Sequence, residues 1–305
     1  MEPVTTSIPG VAEITRYRGD SPPDLLIEVP HGATELAHYE ALASRLRSPL
    51  PLGLEQFFHV NTDFGAPEIA LRTASLLARS AREARTRGVV VVRALVPRTF
   101  IDLNREIGEG AAAGMTPGLP PYITTVADRE LLFSLYQQYS LAVTRAYEEV
   151  MVAGGLAVAL HSYAPRSVEV PVDADIVRSL RAAYRPKVYS AWKLRPMVDL
   201  ITADAEGRDL SPPGLARALR AAYAPLKIEV AENATYQLHP ATMGYRHAAR
   251  YRGRVLCVEY RRDLLGSPWR PFVPSLIGKR KAARLAAPLA EALDSALSAR
   301  RTDDG

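Results

Sequence analysis

The sequence predicts a single α/β domain over residues 1–305, a mixed, mostly parallel, twisted sheet with helices on both faces. Three observations predict it. Short apolar, β-branched runs alternate with longer segments of helical periodicity. Unusual polar residues fall just after those runs, where open α/β sheets bind ligands. No internal repeat or composition shift divides the chain, and 305 residues suffice for one large core.

The first strand is LLIEV at 25–29, stopped by Pro30, which removes a backbone donor from the ladder. FFHVNT at 57–62, VVVVRALV at 89–96, LAVALHS at 156–162, MVDLIT at 197–202, LKIEV at 226–230 and VLCVEY at 255–260 supply the other strands. Residues 66–86 and 128–152 place apolar side chains at spacings of three and four, as helices do. A last helix runs from about Leu276 to Arg300 and ends in a cationic turn, which suits the negative end of the helix dipole. Two stretches break the alternation. Residues 107–121, IGEGAAAGMTPGLPP, read as a mobile loop or lid, and 232–253 is irregular and rich in polar side chains.

Apolar residues make up 48% and charged residues 23%, the balance of an ordinary globular protein. The net charge of +5 comes mostly from arginines scattered among acidic neighbours, without aromatic–basic interleaving. That argues against a nucleic-acid partner and suits small anionic substrates. The single cysteine, Cys257, excludes an intramolecular disulfide framework and points to a reducing, cytoplasmic setting. The N-terminus MEPVTTSIPG is neither cationic nor continuously apolar, and no apolar stretch approaches the roughly 20 residues of a membrane span. A soluble protein with no membrane partner is expected; oligomeric state is not legible.

Five polar clusters sit at strand exits: His31 after Pro30, Asp63 after Asn61-Thr62, the string from Arg98 to Arg105, His161-Ser162, and Glu259 within VLCVEY. Each has a plain structural explanation. His31 can cap a helix, and Asp63, before Gly65-Ala66-Pro67, can be an N-cap. Asp102 and Asn104 can be turn residues. Glu259 can pair with Arg261 or Arg262. His161 is harder to explain away, because an imidazole closing so apolar a strand needs a partner. Taken together, two histidines and a carboxylate at strand ends form the usual ligand set of a catalytic zinc, with one position open for water. Glu259, off the metal, would then shuttle the proton.

PHGA at 30–33, TDFGAPEIA at 62–70, RTFIDLNRE at 98–106, LHSY at 160–163 and GYRHAARYRGRVLCVEYRRDLL at 244–265 together resemble the N-formylglutamate amidohydrolase family. That family is distantly similar to zinc carboxypeptidases and aspartoacylases. The resemblance implies a zinc-carboxypeptidase-like (phosphorylase/hydrolase-like) fold, one Zn2+ per chain and a small carboxylate-bearing N-acyl amino acid as substrate. It implies His31 and His161 as metal ligands, Asn104 and Arg105 as carboxylate binders, Glu259 as acid/base, and Arg98 facing the substrate. The H-x-x-E position of carboxypeptidases is Thr34 here, which cannot be the carboxylate ligand. Glu35 lies one residue further, and Asp63, on the next predicted strand end, is the better-placed candidate. Where the family often has serine, this chain has Gly32. Asn233, Tyr236, His239, Tyr245 and Arg246 are suited to a substrate wall, with Tyr245 and Arg246 taken as substrate-binding. His239 and His247 read as surface loop residues, His38 has no evident partner, and His59 reads as lying along a strand face.

The expected activity is therefore zinc-dependent hydrolysis of a linear amide in an N-acyl amino acid. The alternatives are a metallocarboxypeptidase acting on peptides and an inactive binding protein on the same fold.

Overall fold

The apolar runs at 25–29, 89–94, 156–163 and 255–261 become the middle of the sheet. The computed structural model describes residues 2–19, 22–79, 86–107, 116–266 and 268–303. Among these, strands β1 (Val4–Ile8), β2 (Ala12–Tyr17), β3 (Leu25–Val29), β4 (Val89–Ala94), β5 (Leu156–Tyr163), β6 (Val198–Ile201), β7 (Val230–Glu232) and β8 (Val255–Arg261) form one mixed sheet. Their order is β1-β2-β4-β3-β5-β8-β6-β7. β3 runs parallel to β4 and β5, and β5 parallel to β8. β2 joins β4 and β6 joins β8 in antiparallel sense. The helices are α1 (Leu36–Ala43), α2 (Glu55–Asn61), α3 (Ala66–Leu77), α4 (Val126–Val152), α5 (Ile176–Ala183), α6 (Pro186–Ala191), α7 (Leu215–Tyr223), α8 (Met243–Arg250) and α9 (Lys279–Asp303).

Strand side chains alternate between two cores. Leu26, Val92, Ala157 and Ala159 face α4 through Tyr139, Val143 and Val150. Ile27, Val91, Val158 and Leu256 face α3, α7 and α9 through Ile69, Leu219 and Leu289. Each fully buried Ile or Leu contributes about 1.5–3 kcal/mol. A carboxyl group is buried among the apolar side chains of the α4 side. Glu28, in the middle of β3, is 2% exposed, and the hydroxyls of Tyr139 and Tyr147 donate to its two oxygens at 3.1 and 3.2 Å. No described helix is long and apolar enough to cross a membrane.

The structure departs from the sequence reading in three places. FFHVNT is not a strand but most of α2, with Phe57, Phe58 and His59 buried. A short apolar run fits either element by periodicity, and here helical packing decides. LKIEV is not a strand either: Lys227 takes a positive φ of 56°, so the edge strand starts only at Val230. The β1–β2 hairpin extends the opposite edge, and β1 is largely exposed, so it carries no apolar alternation to betray it. Of the expected lid at 107–121, residues 108–115 lie outside the described residues.

Candidate metal and substrate site

Four loops and strand ends meet over the carboxyl ends of β3, β4 and β5. His31 follows Pro30, two residues beyond β3, Asp63 lies between α2 and α3, and His161 is near the carboxyl end of β5. All three are buried, and one ligand atom from each lies within 4.8 Å of the others. Nδ1 of His31 is 3.3 Å and Nδ1 of His161 is 3.0 Å from Asp63 Oδ2, and the two rings sit 5.1 Å apart. Two imidazole nitrogens and a carboxylate oxygen are the donor set of an open catalytic zinc site, so these residues fit a divalent ion. Behind them, His31 Nε2 lies 2.8 Å from Asp102 Oδ1. A carboxylate on the far nitrogen of a ligating histidine fixes its tautomer and ring orientation.

The local charges agree with that arrangement. Burial alone would raise the Asp63 carboxyl, but the charge of His31 and hydrogen bonds from both histidines hold it well below the usual carboxylate range. Asp102 is likewise depressed against its burial, first by Arg98 and then by Arg105 and His31. Asp63 does not cap α3, whose N-cap is Gly65 at φ 85°. Its Oδ1 instead faces Arg262 Nη2 at 3.5 Å.

Glu259 is the register partner of His161 across the parallel β5–β8 pair, which puts both side chains on the α4 side. Neither neighbouring arginine neutralises it. Arg261 pairs with Asp263 at 2.8 Å, and Arg262 donates to Val60 O, Ser162 O and Asp63. Among the described residues, Glu259 Oε2 is buried without a hydrogen-bond partner. Burial raises its carboxyl above the ordinary value despite the opposing charge of His161.

A cavity of about 740 Å³ opens over this group, lined by His31, His161 and Glu259 and by Arg98, Asn104 and Arg105. A smaller cavity of about 170 Å³ adjoins it and is lined by Asp63 and Asp102. Arg98, Arg195, Tyr236 and Glu259 line both. Arg98 Nε donates to Asp102 Oδ2 at 2.9 Å. Arg105 makes long contacts, 3.4 Å to Thr116 and to the Asn104 carbonyl and 3.8 Å to Asp102 Oδ2, and none of them is a short bond to a carboxylate. The Asn104 side chain accepts from Gly244 N at 3.1 Å, tying the DLNR turn to the start of α8.

Other candidates lie elsewhere. Glu35 is the N-cap of α1 and pairs with Arg93 at 3.1 Å, apart from the histidines. Tyr245 and Arg246 line neither cavity: Arg246 pairs with Glu106 at 3.1 Å, and Tyr245 packs on the α4-side core. His38 belongs to the α1 capping box, and His239 accepts from Ala241 N. His59 is helical rather than on a strand. His247 is no surface residue; it is buried and stacked on Tyr147 at 3.8 Å.

Two cavity residues were not assigned from sequence. Asp102 belongs to a polar cluster that a turn role could also explain, and its turn bond from Asn104 N at 2.9 Å exists beside its contact with His31. Arg195 stacks on Tyr163 at 4.9 Å and donates to Tyr236 OH at 2.8 Å, to Ser167 Oγ and to Ala164 O, none of them a carboxylate. Its segment KLRPM carries no motif.

A model of the N-formylglutamate amidohydrolase family matches residues 24–265. The chain belongs to that family. It is accordingly an amidohydrolase, of a family that acts on small molecules. Comparison with curated proteins gives no match. Among solved structures, a gene product of Agrobacterium tumefaciens is similar at a TM-score of 0.55 and 18% identity, over 92% of this chain and 92% of that one. An N-formylglutamate amidohydrolase from Ralstonia eutropha is similar at a TM-score of 0.51 and 21% identity, over 92% of this chain and 98% of that one. At these identities the likeness is one of fold.

Proposed function

We propose that the protein is a zinc-dependent amidohydrolase that cleaves the amide of a small N-acyl amino acid, of the N-formylglutamate kind, with water. The observation that carries this reading is the buried His31–Asp63–His161 group with Glu259 in register beside it, its Oε2 without a hydrogen-bond partner among the described residues. One divalent ion per chain, held by those three side chains, would supply an activated water and polarise the acyl carbonyl.

The chain's own residues do the rest. Glu259 takes the proton from the attacking water and returns it to the leaving amine; burial, by raising its proton affinity, suits it to both halves of that task. Asp102 holds the His31 ring and anchors Arg98. Arg105 offers a planar fork for the substrate carboxylate, with Asn104 beside it on the same wall. Arg195, bonded only to neutral acceptors, offers a cation for a second carboxylate such as a glutamate side chain carries.

Metal analysis beside turnover of N-formylglutamate tests the reading. Wild-type protein should carry about one zinc per chain, and His161→Ala should lose most of it along with activity. Protein that holds no divalent ion, and whose amidase activity a chelator leaves untouched, would overturn it.

A further inference from the structure

We propose that the smaller cavity is an acyl-chain subsite, so that the preferred substrates carry an apolar acyl group of several carbons rather than formyl. This rests on the amidohydrolase reading above and names its substrate class. The polar anchors are unevenly shared. Asn104 and Arg105 line only the larger cavity, Asp63 lines only the smaller, and Glu259 lines both. The scissile carbonyl belongs at that junction, beside Glu259 and the ligand group. With its carboxylate at Arg105, an N-acyl amino acid therefore directs its acyl end into the smaller cavity.

That space is polar at the junction, where Asp63, Arg98, Asp102 and Glu259 border it, and apolar at its far end. Its wall away from the junction is formed by Phe57, Val60, Ile176, Leu180 and Tyr184. Four arginines border it: Arg98 and Arg195 stand at the junction with the larger cavity, Arg262 is held by Val60 O, Ser162 O and Asp63, and Arg166 donates to Trp192 O at 2.6 Å. At about 30 Å³ per water-sized group, 170 Å³ admits at least about five such groups. A formyl group has one hydrogen beyond its carbonyl carbon and would leave this volume unused, whereas a butanoyl or hexanoyl chain fills it.

The test uses the purified full-length protein and a series of N-acylglutamates bearing formyl, acetyl, butanoyl and hexanoyl groups. kcat/KM should rise roughly four-fold per added methylene. Calorimetric Kd values for ketone analogues, with CH2 in place of the amide NH, should tighten in parallel. Val60→Trp and Leu180→Trp, which fill the subsite, should remove the chain-length gain in both readouts while acetyl turnover stays within about two-fold. A flat or falling series, or a gain that survives both substitutions, overturns the proposal. If no member is hydrolysed, the amidohydrolase reading fails instead, and the analogue affinities still report on the subsite.

Discussion

Asp102→Asn is the sharpest perturbation of this site, because it keeps the shape of the side chain and removes one acceptor. In the parent, Oδ1 lies 2.8 Å from His31 Nε2 and Oδ2 accepts from Arg98 Nε at 2.9 Å. Oδ1 also accepts from Asn104 N at 2.9 Å. Every partner donates, so the asparagine must turn its NH2 toward His31 and Asn104 N or toward Arg98. Whichever it faces loses a charge-assisted hydrogen bond of about 1.5–3 kcal/mol. If the loss falls on His31, the ring is no longer held in the tautomer that presents Nδ1, and metal affinity should weaken roughly 10- to 100-fold. If it falls on Arg98, metal affinity holds and KM rises instead. Competition against a chromophoric chelator measures the first outcome and steady-state kinetics the second, with thermal unfolding as a control. A variant with parental zinc affinity, KM and melting temperature would refute the claim that this carboxylate braces the site.

Glu259→Gln should keep its metal and lose roughly 10²- to 10⁴-fold in kcat, since the amide cannot carry the proton; parental turnover would remove Glu259 from the mechanism. Arg105→Lys should raise KM about ten-fold with metal content unchanged, because a point charge replaces a planar fork. Asp128, near the start of α4, accepts from Arg47 N, Ser48 N and Ser48 Oγ. Against burial, those bonds lower its carboxyl to about 2. Its folded value lies below its unfolded one, so its contribution is complete above about pH 4 and is lost as pH falls toward 2. Asp128→Ala should cost about 1–2 kcal/mol at neutral pH and flatten acid unfolding across that window, and equal stability of the two proteins at pH 7 would count against it.

The central sheet could be read from the chain because β3, β4, β5 and β8 are continuous apolar runs, as buried parallel strands must be. α2 could not, since Phe57, Phe58 and Val60 carry the same signal in a two-turn helix as in a strand. At the site, His31, His161 and Glu259 stood out as polar groups at or near the ends of apolar strands, and Asp63 stood out for the same reason although the run before it is helix α2. Asp102 was partly masked by a local partner, the Asn104 amide, which accounts for it as a turn residue. Its other partner, His31, lies 71 positions away and is joined to it only by the pairing of β3 with β4. Arg195 was illegible for a similar reason: its neighbours Tyr163, Ser167 and Tyr236 gather only when the chain folds.

Glu28 bears on how accurately His31 is delivered. A slip of β3 by a single residue would swing that carboxylate away from its two tyrosines and into the aliphatic layer of Ile69 and Leu289. Stranding a carboxylate there is costly enough to rule the slipped pairing out. The strand is thus pinned lengthwise by its one acidic side chain, and the imidazole three positions on inherits a fixed height above the sheet.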